Sequence, residues 1–420
     1  MALKVFISHS SKSAFASKVR DGVYAALQAK GFDVLLDKQR LEPGDQWRAK
    51  LHLWLATCDA AVILFSRDAI GTKEKPGSDW VQKESTILTW RHALNEQLLI
   101  VPALLGDVTR DETNLGGLKP LQLGEWQFAR AATTDESDAN AQGLINAISA
   151  RFDGLTEVSG TTRELDQWMR RVAGCLKKVD PIDLKDAAEA IQIDDVDWQG
   201  AVDQQYAIFA YQLLFSPAKA LLTALPLLRN TMPDDQVKKF SELVTPVWVS
   251  AEAARSIVPA MQEADDVKRI VAINTSYADL AEHYVRRATC CKLGVYVVKV
   301  TGVRGEDPGM VLDGFEQAFR RLFNVEGRPL ATLMKAFALQ SEPLFALVDQ
   351  GGLARDVLTE LRKYPRVTLV LVSGREFPDP TALGLVALRT ALPSLDDESE
   401  SQGDSFVGSA LRALGLSRNN

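Results

Sequence analysis

Cysteine and histidine are scarce in this chain, four of each in 420 residues. Cys58, Cys175, Cys290 and Cys291 form no C-x-x-C pair, and the histidines are scattered. That pattern offers no metal framework and suits a reducing compartment. Long apolar runs are also missing. Runs rich in apolar residues, such as Val295–Val300 and Val367–Val372, are strand-sized, far short of the ~20 residues that span a bilayer. No membrane partner is expected. The opening MALKVFISHS reads as a strand and lacks the charged-then-apolar order of a secretion signal, so a cytoplasmic location is expected. No Lys/Arg run stands out, and the net charge is −7. Nucleic acid is therefore not a favoured partner.

Phosphate-cradling glycine motifs are absent as well. Lys219, in Ser216-Pro217-Ala218-Lys219, sits where a degraded P-loop could be imagined, but the glycines that let backbone approach phosphate are not there. Gly302-x-x-Gly305 follows a strand-like run without a third glycine and reads as a turn. Neither H-E-x-x-H nor G-x-S-x-G occurs.

What is present is an ordinary globular composition, 46% apolar and 25% charged, on a length that calls for two or three domains. Leu3–Ser8 is a run of strand formers. Phe15–Ala29 places Phe15, Val19, Val23, Ala26 and Leu27 on one helical face, and Gly31 ends it. Phe32–Leu36 reads as a strand, Asp37–Asp45 as a loop turning at Pro43-Gly44, and Trp47–Leu55 as a helix. Ala60–Phe65 is apolar throughout, as a buried strand would be. A loop from Ser66 to Ser78, a helix over Trp80–Trp90, a strand at Leu98–Pro102, a short fifth strand at Leu121–Leu123 and a helix over Gly143–Phe152 complete the unit. Such β/α alternation requires crossover helices and a parallel sheet covered on both faces. Ligands of such sheets bind outside the carboxyl ends of the strands, here the loops after Ser8, Leu36 and Phe65.

The expected organisation is an α/β domain over 1–152, a linker over 153–164 and a helical region over 165–230. An α/β regulatory or sensor domain over 231–392 and an acidic tail with a short terminal helix over 393–420 follow. Strand-like runs in the second half fall at Val244–Val249, Arg269–Ile273, Leu293–Val300 and Val367–Val372. The tail Pro393–Asp404, PSLDDESESQGD, has a disordered composition, and Phe406–Leu416 is amphipathic.

Four pieces in order carry a family resemblance. They are Val5-Phe6-Ile7-Ser8-His9-Ser10, then Asp37 with Leu41-x-x-Gly44-x-x-Trp47, then Cys58–Ser66, then Trp80-Val81-Gln82-Lys83-Glu84. Residues 1 to about 152 resemble the TIR family, whose sheet is flavodoxin-like. Val81 stands where the family often has Cys, a position without a chemical role. The resemblance implies NAD+ cleavage with Glu84 as the catalytic carboxylate. The spacing is physically apt, because residues i and i+4 share a helix face, so Trp80 and Glu84 project together. Breaking the nicotinamide–ribose bond creates an oxocarbenium-like transition state that one carboxylate can stabilise, since the departing pyridine is neutral. The resemblance also places Phe6, Ser8, Arg40 and Asp45 around the NAD+ pocket, although Phe6 equally suits core packing. His9 reads as a loop residue. NAD+ is then substrate, and no cofactor is expected.

The resemblance further implies self-association through TIR domains, a neighbour's loops completing the pocket. The C-terminal part resembles, through Thr245–Val249, Arg269–Asn274 and Val367–Gly374, the inactive ATPase-like sensor modules fused to effectors in bacterial conflict systems. It would respond to a trigger or partner protein, and the role implied is antiphage or abortive-infection defence. A non-catalytic TIR scaffold, or a cyclase making a cyclic ADP-ribose-type signal, are the alternatives.

Overall fold

A computed structural model describes residues 2–10, 12–36, 51, 54–70, 79–93, 98–114, 126–155, 164–191, 203–262, 269–300, 308–340, 342–349, 355–392 and 394–417. The chain divides into two compact units. The first comprises Met1–Arg170 and Val202–Gln212, the second Arg171–Ala201 and Leu213–Asn420.

The first unit runs β1 (Lys4–Ser8), α1 (Ala14–Ala29), β2 (Asp33–Leu35), β3 (Ala60–Phe65), α2 (Arg67–Ile70), α3 (Asp79–Ala93), β4 (Leu99–Leu104), β5 (Ala129–Arg130) and α4 (Asp138–Ala150). Its five strands pair in parallel in the order β2-β1-β3-β4-β5. Ser13 caps α1, its hydroxyl accepting from Ala16 N–H at 3.2 Å, which satisfies one of the donors a helix start leaves open. Gly31 takes the chain out of α1 at φ +87°, a conformation that a side chain disfavours. Along β1 the side chains alternate. Val5 and Ile7 join a core with Phe15, Val19, Val23 and Leu27 of α1 and Leu144, Ile145 and Ile148 of α4. Phe6 and Ser8 therefore face the other side of the sheet, where α3 packs on β1, β3 and β4.

The expected elements of this unit are found with shifts of a few residues, except at the fifth strand. Leu121–Leu123 lies outside the described residues, and the observed β5 is Ala129–Arg130. Of the expected helix over Trp47–Leu55, residues 51 and 54–57 are helical and the rest of its start lies outside the described residues.

After α4 the chain continues with α5 (Glu164–Leu176), α6 (Pro181–Ala190), α7 (Asp203–Phe215), α8 (Ala218–Thr231), α9 (Asp234–Val244), a 3-10 turn (Thr245–Trp248) and α10 (Ala251–Gln262), of which α5 up to Arg170 and α7 up to Gln212 belong to the first unit. A second α/β layer follows: β6 (Ile270–Ile273), α11 (Ala278–Ala288), β7 (Tyr296–Val300), α12 (Pro308–Leu322), α13 (Leu330–Leu339), β8 (Leu344–Val348), α14 (Arg355–Leu361), β9 (Val367–Val372), β10 (Arg389–Thr390) and α15 (Asp397–Ala413). The five strands are again parallel, in the order β10-β6-β9-β8-β7. Helices α10 and α11 pack together, as do α12 and α14. Phe315, Phe319, Phe337 and Tyr364 fill the core beneath α12 and α13, with ring centroids 4.7–6.3 Å apart.

Two expectations for this half are overturned. Val244–Val249 is not a strand. Its residues end α9 and continue as the 3-10 turn, with Pro246 in the first positions, where a missing N–H costs no helical bond. The acidic tail is not disordered either. Asp396 caps α15 by accepting from Ser399 N–H at 2.7 Å, and Asp397, Glu398 and Glu400 occupy the first turn, where the helix dipole favours negative charge. Phe406, Val407 and Ala410 then bury one face, so the amphipathic piece is the second half of a single helix.

Candidate active site

β1 leaves through α1 toward β2, whereas β3 leaves through α2 and α3 toward β4, on the opposite side of β1. The connections therefore diverge between β1 and β3, the kind of point at which open parallel sheets bind ligands outside the strand carboxyl ends. Ser8 is the last residue of β1, in register with Ile63 of β3. Its side chain is on the α3 face, and its hydroxyl donates to Glu84 Oε2 at 2.5 Å. Ser8 is 0% and Glu84 6% exposed. The hydroxyl–carboxyl hydrogen bond orients the Glu84 side chain at the strand ends.

Two residues back on the same face of β1, Phe6 is 1% exposed. It is packed in the interior, consistent with the packing role that its type suggests. Trp80 begins α3 one turn before Glu84 and is only partly covered. The Lys83 ammonium stands 5.3 Å from its ring centroid, so the indole face already attracts a cation. His9 lies just beyond Ser8, its Nδ1 3.5 Å from Ile7 O, too long for a good hydrogen bond. Ser8 and Glu84 are thus brought into contact, with Phe6 and Trp80 on the same face and helix. Arg40 and Asp45 lie outside the described residues.

Sequence reasoning missed what anchors α3. Arg91 is 1% exposed and donates through Nη1 to Leu55 O at 2.6 Å and through Nη2 to Cys58 O at 3.0 Å. It thereby ties the last turn of α3 to the chain entering β3. The neighbouring Trp90 is wholly buried and meets Trp168 edge-on at 6.5 Å. A signal was available, since Arg91 follows Glu84 by seven residues and so shares its helix face. Arg67, just past β3, was missed too. It pairs with Glu112 at 2.5 Å and Asp107 at 3.0 Å, and its hydrogen bonds hold the Glu112 carboxyl down to about 2. This partly exposed ion cluster links the start of α2 to the loop after β4.

Among the described residues no group of His, Cys, Asp and Glu could hold a metal ion, and no helix is long and apolar enough to cross a membrane. Residues 5–140 match the family described as the TIR domain. Comparison with curated proteins gives no match.

Proposed function

Taking as premise that its first unit is a TIR domain, we propose that this chain hydrolyses NAD+ at the nicotinamide–ribose bond. The Ser8–Glu84 hydrogen bond at the divergence of β1 and β3 carries the reading. A carboxylate held rigidly at the strand ends is suited to a ribose whose anomeric carbon gains positive charge. It can accept hydrogen bonds from ribose hydroxyls, and it is preorganised against the growing oxocarbenium charge. The C1′–N bond breaks with its electron pair going to the pyridine nitrogen, so nicotinamide leaves neutral and needs no acid. Water then adds at C1′, giving ADP-ribose and one proton. Trp80 offers an aromatic face beside the carboxylate, and Phe6 excludes water from its base.

TIR domains commonly self-associate, and we infer that this chain is active in the associated state, its second unit answering a trigger in antiphage or abortive-infection defence. The support is architectural: a domain that consumes NAD+ needs restraint, and a second folded unit on the same chain can supply it.

The test is NAD+ loss by the full chain at high concentration, with products separated by chromatography. Loss with release of nicotinamide and ADP-ribose, abolished in Glu84→Gln, is the expected result. A cyclic product would keep the site and change the fate of the oxocarbenium. Turnover unaffected by Glu84→Gln, or none at any concentration of the full chain or of residues 1–155, would overturn the reading.

A further inference from the structure

Three helices of the second unit, α9, α11 and α15, line a cleft of about 260 Å³. Its floor is apolar, with Leu280 2% and Val407 8% exposed and Leu411 beside them. Its walls are acidic. Glu242 comes from α9, Asp279 and Glu282 from α11, and Asp404 from α15. Arg286 pairs with Glu282 at 2.7 Å, and Lys299 pairs with Asp279 and, at 3.0 Å, with Glu282. Glu242, exposed at the rim, makes no ion pair among the described residues, so negative charge is left over.

An unpaired donor faces these carboxylates. Trp248 Nε1–H donates to His283 Nδ1 at 2.8 Å. An indole nitrogen can only donate, so Nδ1 is the bare nitrogen and the neutral ring carries its proton on Nε2. Burial lowers the pKa of His283 from 6.5 to about 4, so at neutral pH the ring adds no positive charge. Its Nε2–H meets no acceptor among the described residues. It is not one of the sealed, unpaired atoms of the interior either, so it opens on the cleft that His283 lines. The cleft thus presents a spare carboxylate, a neutral donor and an apolar floor.

A ligand that meets all three carries an ammonium group, a neutral hydrogen-bond acceptor and a short aliphatic chain. The volume is below the roughly 300–1,000 Å³ of pockets for drug-sized ligands, so one such unit fills it. We propose that this cleft binds an α-amino amide, the pattern of an amino-acid amide or of a peptide's free N-terminus. Its ammonium lies at Glu242, its carbonyl accepts from His283 Nε2–H, and its aliphatic side chain rests on Leu280, Val407 and Leu411. A free amino acid fits poorly, because its carboxylate meets the uncompensated negative charge. The site is independent of the NAD+ reading, since every residue of it lies in the second unit.

The experiment is calorimetric titration of the full chain with leucinamide at about pH 6.5, where an α-amine is protonated. Binding at millimolar leucinamide is expected. N-acetyl-leucinamide lacks the ammonium, 3-methylbutylamine lacks the carbonyl, and leucine has a carboxylate in place of the amide. Each should bind at least about threefold more weakly, the scale of one hydrogen bond or exposed ion pair. Glu242→Lys reverses the rim charge and should weaken leucinamide about fivefold. Glu189→Lys, the same change at an exposed position of α6, should leave it unaltered. A leucyl-alanine amide that binds more tightly than leucinamide would assign the cleft to a peptide N-terminus, and equal binding to the small amide; both support the site. Three outcomes overturn the proposal. One is no binding of leucinamide. Another is N-acetyl-leucinamide or 3-methylbutylamine binding as tightly as leucinamide. The third is equal weakening by Glu242→Lys and Glu189→Lys, which leaves only the net charge of the chain.

Discussion

Replacing Gly403 by alanine should destabilise the second unit, although alanine is the better helix former. A Cβ built there would stand 2.6, 2.8 and 2.9 Å from three atoms of the Trp248 ring, closer than carbon atoms pack. The indole has little room to yield. Its Nε1–H donates to His283 Nδ1 at 2.8 Å, and its ring meets Tyr284 edge-on at 5.7 Å. Either the ring turns and that hydrogen bond breaks, or α15 lifts away from its buried face. Overpacking of this kind costs about 1–3 kcal/mol, and an unsatisfied buried acceptor about 1–3 more. The propensity gain of alanine over glycine returns only about 1 kcal/mol. A net loss of about 1–5 kcal/mol follows, equivalent to roughly 2–4 °C per kcal/mol for a unit of this size. Gly314, inside α12, is the control, because nothing lies within 4 Å of its added Cβ. Gly314→Ala should gain up to about 1 kcal/mol from propensity alone. Thermal and denaturant unfolding of the two variants should therefore move in opposite directions. A Gly403→Ala protein as stable as Gly314→Ala would refute the close packing of α15 on Trp248.

Two further outcomes are expected. Ser8→Ala removes the donor that orients Glu84, and hydrogen bonds to charged groups are worth about 1.5–3 kcal/mol, so kcat for NAD+ loss should fall at least about tenfold with KM little changed. A variant turning over at the native rate would show that Ser8 does not position the carboxylate. His283 lines a cleft of about 260 Å³ together with Glu242, Asp279, Glu282, Arg286 and Asp404, with Lys299 paired to Asp279 and Glu282. Desolvation, outweighing the nearby Glu282, lowers its pKa from 6.5 to about 4. The unfolded chain then binds the extra proton between those values, so stability is full above 6.5 and falls as pH drops toward 4. Unfolding midpoints across pH 4–8 should decline more steeply for the native protein than for His283→Gln, and parallel curves would count against a neutral His283.

Much of the first unit was legible because its signals are local. Ala60–Phe65 is an unbroken apolar run bounded by polar residues and is a strand with those bounds, as in the second unit is Val367–Val372, apolar but for Thr368. The Trp80–Glu84 spacing placed both residues on one helix, as found. What was not legible depended on partners distant in sequence. Leu344–Val348 reads like its helical, leucine-rich surroundings, and only pairing with β7 and β9 makes it a strand. Thr245–Val249 has strand-forming side chains, but it continues from α9, and its neighbours decided against propensity. Acidic composition suggested disorder for 393–404, whereas buried apolar residues further along draw those acids into the first turns of a helix. Arg91 was overlooked because, although its spacing from Glu84 puts it on the same helix face, the carbonyls that it holds, Leu55 and Cys58, are distant in sequence.

Both rims of the first sheet are short. β2 spans three residues and β5 two among the described residues. A rim of that length offers few open backbone groups to another strand. Copies of this unit therefore have little from which to extend a continuous sheet between them. If copies associate as proposed, side chains of helices and loops have to make the contact, and single surface substitutions that leave every strand pairing intact can tune its strength.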